Sequence, residues 1–190
     1  MDKKLILDSS ELSQWQTLVH EAEQDYGCQL DEAMQSYLVF TLMRFTKNQQ
    51  LNAHALAIDY LTSHHLAPGL RNDQLRDIGD QCLLVSGLYP RSAEKRLVSV
   101  NYYVNLGRSA YHHISTFAQQ GIADLYRQLA ESFVLLMDLL QTIRQYSAPA
   151  LQPLAALELW NQTGSQAAFK QISESGTPLA DGLWKDQIKH

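Results

Sequence analysis

The stretch Leu97 to Gln119, LVSVNYYVNLGRSAYHHISTFAQ, decides the fold. Wound as a helix, it places Leu97, Val100, Val104, Gly107, Tyr111, Ile114 and Ala118 on one stripe at spacings of three and four. A second stripe of Tyr103, Leu106, Ala110, His113 and Phe117 lies beside the first. Most of the circumference is then apolar, so the helix must be covered by neighbours on more than one side. The edge left for water, a cavity or a partner subunit is Asn101, Asn105, Arg108, His112, Ser115 and Gln119. Gly107 sits within the apolar stripe, where it costs about 1 kcal/mol relative to alanine. That cost predicts close approach of another helix, with Gly79 as the facing small residue; a kink, or a ligand packed on the backbone, is the alternative.

Helical periodicity continues on both sides of this segment. Towards the amino end, a helix is predicted over Ser10 to Gln24, capped by Ser9 or Ser10 and closed at Gly27. A second starts at the N-cap Asp31, carries Met34, Tyr37, Leu38, Thr41 and Phe45 on one side, and ends at Lys47-Asn48. A third spans Asn52 to His65, before Pro68-Gly69. A fourth spans Asn72 to Ser86, with Leu75, Ile78, Cys82 and Val85 in a stripe and Tyr89-Pro90 as its stop. Beyond Gln119, Ile122, Leu125, Leu129, Phe133, Leu136, Leu140 and Ile143 predict one helix from Ile122 to Tyr146, closed by Pro149 and Pro153. Two shorter helices, Pro153 to Gln162 and Ser165 to Ser173, are divided by Gly164 and finished by Gly176. No pair of alternating runs flanks a hairpin dipeptide. The expected fold is all-α: a compact multi-helix bundle of about seven to eight helices with no sheet. The 190 residues, 45% of them apolar, suit one helical domain over 1–176 with a tail over 177–190, in which Trp184 is expected to pack back on the body.

Charge and composition narrow the partners. Fifteen Lys and Arg against twenty Asp and Glu leave a net charge of −5, and no basic block stands apart, so neither nucleic acid nor an anionic membrane is expected. The apolar run from Phe133 to Leu140 is interrupted by Asp138 and is shorter than the roughly 20 residues of a membrane span. Lys3 and Lys4 precede only Leu5-Ile6-Leu7 before Asp8, too little for a secretion signal. Cys28 and Cys82 have no CxxC spacing and read as two buried thiols in a reducing compartment. The expected location is cytoplasmic, with no metal and no cofactor.

Catalytic signatures are missing: HExxH, the ExxH pair of di-iron bundles, GxSxG, the Walker loop and GxGxxG do not occur. Adjacent His112 and His113 point about 100° apart on a helix and cannot chelate one metal together. His113, at the edge of the apolar arc beside Tyr102 and Ser109, is expected to hydrogen-bond to a Tyr or Ser, with proton transfer or ligand binding as the sharper role. His64 and His65 are expected to serve the end of their helix. Asp73, Asp77 and Asp80 share a face and, with Arg71 and Arg76 nearby, read as a solvated, salt-bridged surface; a divalent cation is the alternative.

Tyr89, Tyr102, Tyr103 and Tyr111 crowd together with Arg91, Arg96 and Arg108. Such a cluster suits a pocket for a planar or anionic ligand, and equally a buried interface. The candidate ligand or interface residues are therefore Tyr102, Tyr103, Arg108, Ser109, Tyr111 and His113. The leading functional expectation is a noncatalytic interaction or regulatory module, homodimeric through its long helices or tail. A small-molecule binder or enzyme, with a pocket bordered by Tyr102, Tyr103, Arg108, Ser109 and His113, is the alternative. A DNA-binding regulator, with the fourth and fifth helices joined through Gly87-Leu88-Tyr89-Pro90 as a helix-turn-helix, is the third.

Overall fold

Three glycines determine how closely the middle of the molecule packs. The computed structural model describes residues 2–47, 55–90 and 98–174. In it Gly79 and Gly87 belong to α4 (Pro68–Leu88) and Gly107 to α5 (Val100–Phe117). A Cβ on Gly107 would lie 2.5 Å from the Phe133 ring and 2.9 Å from Cβ of Cys82. A Cβ on Gly87 would lie 2.5 Å from Cβ of Leu140, and one on Gly79 would overlap the Tyr111 ring. Each missing side chain admits a large one from a neighbouring helix, and the packing gained offsets the lost helix propensity. Gly107 therefore does mark a close approach, but it faces Phe133 and Cys82; Gly79 faces Tyr111 instead.

The remaining described helices surround this pair. They are α1 (Asp2–Tyr26), α2 (Glu32–Lys47), α3 (Leu56–Ser63), α6 (Gln120–Glu131), α7 (Phe133–Gln145), α8 (Pro153–Thr163) and α9 (Gln166–Glu174). Among the described residues there are no strands. Among the described residues nine helices, against the seven to eight expected, form an all-α bundle. α4 packs on α5, α7 and α3; α1 packs on α2 and α7; α8 and α9 pack on each other, α8 also meeting α5 and α9 meeting α7. One core unites Leu38 and Leu42 of α2, Leu75, Ile78 and Leu83 of α4, Ile114 of α5, Leu129 of α6 and Leu136 of α7.

Several ends follow the local chemistry. Asp31 Oδ1 accepts from the Met34 amide at 2.8 Å, as an N-cap should. Gly27 takes φ 83° and Gly164 φ 74°, the left-handed turns that close α1 and α8. Ser99 caps α5 by accepting from the Tyr102 amide. Pro68 and Pro153 sit in the first turns of α4 and α8, where a missing N–H costs nothing. Pro68-Gly69 thus opens α4 four residues earlier than the stripe implies. α1 likewise runs through Ser9 and Ser10, which are not its caps.

Two further expectations are revised. Ile122 to Tyr146 is not one rod: Ser132, at φ −90° and ψ 11°, divides α6 from α7. The apolar stripe carries on across the break, so periodicity could not reveal it. At this point the Arg108 Nε donates to the Ala130 carbonyl at 3.2 Å, and Phe133 enters the space left by Gly107. α5 itself is unbroken at Gly107, but its second stripe turns outward at the carboxyl end, leaving Phe117 64% exposed. Leu97, expected in the first stripe, and the tail 177–190 with Trp184 lie outside the described residues. Cys82 is buried, whereas Cys28 is only partly so, and both are free thiols. Among the described residues no helix is long and apolar enough to cross a membrane.

Candidate functional site

Three buried carboxylates and one exposed face concentrate the polar chemistry of the described molecule. Glu23 of α1 accepts from the Leu30 amide and the Gln35 side chain and ties α1 to the start of α2; the other two join more distant elements. The second carboxylate is Asp80, 3% exposed in the middle of α4. Its Oδ1 accepts from the phenols of Tyr37 on α2, at 2.6 Å, and Tyr111 on α5, at 2.7 Å. Its Oδ2 accepts from a terminal nitrogen of Arg44 on α2 at 2.7 Å. Tyr126 of α6 stands edge-on to Tyr37, with ring centroids 5.8 Å apart, and tilted against Tyr111 at 5.7 Å. Burial raises the Asp80 carboxyl above the usual carboxylate range, although Tyr37, Tyr111 and Arg44 all act to lower it. Burial, with the nearby carboxylate adding to it, holds the Tyr37 and Tyr111 phenols well above theirs, so both stay protonated donors. The centre joins α2, α4, α5 and α6, and both carboxylate oxygens are engaged.

Asp80 is therefore not part of a solvated acidic face. Asp73 is exposed and Asp77 half-buried, and they pair with Arg76 at 3.4 and 3.7 Å. Arg44, more than thirty residues earlier, reaches Asp77 at 3.0 Å as well as Asp80. Arg71 takes no part there and donates to the Leu66 carbonyl. Among the described residues no group of three or more His, Cys, Asp or Glu could hold a metal ion.

The third buried carboxylate is Asp138 of α7. Its Oδ2 accepts from the amides of Gln166 and Ala167 and from the Tyr26 phenol, and its Oδ1 from the Ser165 hydroxyl at 2.5 Å. Ser165 Oγ in turn accepts from the Ala168 amide at 3.1 Å. These groups close the amino terminus of α9, where free N–H groups and the helix dipole favour a negative charge. Burial nonetheless raises the Asp138 carboxyl, opposed by those same donors. Asp138 thereby fastens α9 and α1 to α7.

The exposed face lies where α3 meets α5. The rings of Tyr60, His64, His113 and Phe117 run in a chain, with centroids 5.5 Å apart for the first pair, 4.7 Å for the two imidazoles and 5.1 Å for the last. His113 Nε2 is buried without a hydrogen-bond partner, so the expected bond to Tyr or Ser is not made. Burial lowers the His113 imidazole below its usual range, and His64, Arg71 and His112 push the same way. α3 also leaves Ile58 and Leu61 63% and 65% exposed, and Leu70 is exposed in the first turn of α4. His64, as the C-cap of α3, does sit at the helix end foreseen for it.

The six candidates read from the sequence do not converge. Tyr103 and Tyr111 are buried, while Tyr102, Arg108 and Ser109 face outward and His113 lies between. Tyr102 touches Tyr103 at 5.3 Å, and Tyr111 belongs to the Asp80 centre. The described surface includes two sizeable cavities away from these residues. One, of about 860 Å³, is a groove among Tyr26, Tyr146, Phe169, Lys170 and Glu174; the other, of about 420 Å³, lies among Trp15, Leu42, Tyr89 and Ile143. Neither is lined by any of the six candidates. Compared with known proteins, the chain matches no family model, no curated protein and no solved structure.

Proposed function

We propose that this chain is a noncatalytic helical interaction module that forms a homodimer through the face built by α3, the start of α4 and the end of α5. The observation that carries this reading is the exposed Phe117 against the His113 ring at the end of α5, together with Ile58 and Leu61 exposed on α3, the helix whose Tyr60 and His64 rings meet His113. Apolar and aromatic side chains of this kind form the desolvated centres of interfaces. None of these six residues is a carboxylate; the nearby charges are Asp59 within α3 and Arg71 of α4, which acts on His113. A patch that meets its own copy across a twofold axis must limit like-charge repulsion, and apolar and aromatic side chains at its centre suit that requirement. The saturated bonding of Asp80 and Asp138 argues on the same side, because a general acid or base needs an open position towards substrate.

The test is light scattering behind size exclusion, on the wild type and on the double variant Leu61→Asp, Phe117→Asp. A wild-type dimer converted to a folded monomer by the two charges is the expected result. A wild type that stays monomeric at its highest soluble concentration rules the reading out.

A second reading, a small-molecule binder, is favoured by the groove of about 860 Å³ beside Tyr26, Tyr146 and Phe169. Its volume falls in the range of ligand pockets. Thermal-shift screening of metabolites decides it: stabilisation lost in Phe169→Ala supports the groove, and none anywhere dismisses it.

A further inference from the structure

The contact between His64 and His113 is an unusual way to seat a helix. α3 is only eight residues long, fully buries just Leu56 and Ser63, and packs mainly on α4, so its hold on α5 is slight. Its carboxyl end meets α5 through two imidazoles whose centroids are 4.7 Å apart, and the Nε2 of one is enclosed without an acceptor. The groups acting on His113 are known for each neighbouring element: Tyr60 and His64 from α3, Arg71 from α4, and His112 on α5 itself. None is an anion that could welcome a proton. A charge placed on His113 would face the guanidinium of Arg71 and a second imidazole, in a setting that solvent only partly screens.

We infer that the His64–His113 contact is an acid-sensitive latch, closed while His113 is neutral and released on its protonation, which frees α3 from α5. This rests on the reading above only for its consequence, that self-association through the α3 face weakens in acid. The sign follows from linkage. His113 is easier to protonate once α3 has swung away than while it is seated, so the open form binds more protons. The seated form is favoured above the ordinary imidazole range of about 6.5 and loses that advantage as the pH falls below it.

Hydrogen exchange of the Leu56–Ser63 amides, corrected for intrinsic rates, tests the latch at about pH 7.5 and pH 5.5. Wild-type protection of α3 should fall by about tenfold per pH unit of depression at His113, while α7 amides stay protected. His113→Phe keeps a ring against Tyr60 and Phe117 but cannot titrate, and its α3 should be equally protected at both pH values. Unchanged wild-type protection, or the same loss in His113→Phe, overturns the latch. Should His113→Phe fail to fold, the imidazole titration of wild type by NMR decides alone: a His113 value at or above the ordinary range overturns it. Light scattering at the same pH values keeps the two ideas apart. A monomer throughout sinks the homodimer but not the latch, and a dimer with pH-independent α3 protection sinks the latch but not the homodimer.

Discussion

The Asp80 centre and the α3 face hold similar residue types, tyrosines beside titratable groups, and use them in opposite ways. At Asp80 each oxygen has a donor within 2.7 Å, and those donors come from two other helices. On the α3 face His113 keeps a nitrogen unpartnered, and Leu61 and Phe117 stand in solvent. The first arrangement can only be weakened by change, since every contact is already made. The second has bonding capacity and apolar surface to spare, which is what a partner or a proton can use. Titratable residues in a cluster are thus no guide to function by themselves; what separates the two clusters is whether their valences are filled.

The largest expected effect comes from emptying the filled cluster. Asp80→Ala leaves the phenols of Tyr37 and Tyr111 without their acceptor and removes one of the two carboxylates that Arg44 holds. Breaking a buried pair in this way costs about 3–5 kcal/mol. Thermal denaturation should show a fall of about 10 °C for a chain of this size. Leu61→Asp on the open face should change stability by less than about 0.5 kcal/mol, because an exposed side chain gives up little packing. Equal costs at the two positions would erase the distinction between them.

A smaller effect sharpens the same contrast through backbone space. Gly79→Ala drives a methyl into the ring of Tyr111, which cannot withdraw without loosening its bond to Asp80. Overpacking of this kind costs about 1–3 kcal/mol, more than the gain in helix propensity returns. Gly121→Ala is the control: a Cβ there meets nothing within 4 Å, so denaturant midpoints should hold or rise slightly. If Gly79→Ala is also neutral, the ring of Tyr111 moves freely and the centre is looser than its hydrogen bonds imply.

Most of the fold was legible from the chain because burial follows helical period. Leu75, Ile78, Cys82 and Val85 are all buried as their spacing requires, and Asp31 and Gly27 mark the ends that they should. The division at Ser132 was not legible, since a single residue off helical geometry leaves the stripe in register. The carboxylate centres left a weaker signal that could have been read. Asp138 interrupts an apolar run, and Asp80 follows Ile78 and Gly79 and precedes Cys82 to Val85. A lone acid among apolar neighbours must be paired if it is buried. What the sequence could not supply was the partners, because Tyr37 and Arg44 are 43 and 36 residues from Asp80 and only the packing of α2 on the core brings them near. His113 is half-buried, as its place at the edge of the apolar arc implies. Its neighbours Tyr60 and His64 belong to another helix, so periodicity within α5 could not name them.

The smallest effect separates two accounts of why Asp80 is tolerated at all. Asn can replace Asp80 and still accept from a phenol, but it does not titrate, so the difference in stability between wild type and Asp80→Asn isolates this one proton. Burial raises the folded-state carboxyl above its unfolded value, so between those two values the folded chain binds the proton more tightly than the unfolded chain does. The contribution of that proton is full below the unfolded value and is lost as the pH rises through the folded one. Wild type should therefore gain on Asp80→Asn as the pH is lowered from neutrality into the carboxylate range, measured by urea unfolding at each pH, while His113 and Asp138 cancel in the difference. A gap that narrows in acid would mean that Arg44 and the two phenols outweigh desolvation and hold the carboxyl below its usual range. Asp80 would then contribute as an ion pair rather than as a hydrogen-bond hub, and Arg44→Met should reproduce most of the loss seen in Asp80→Ala.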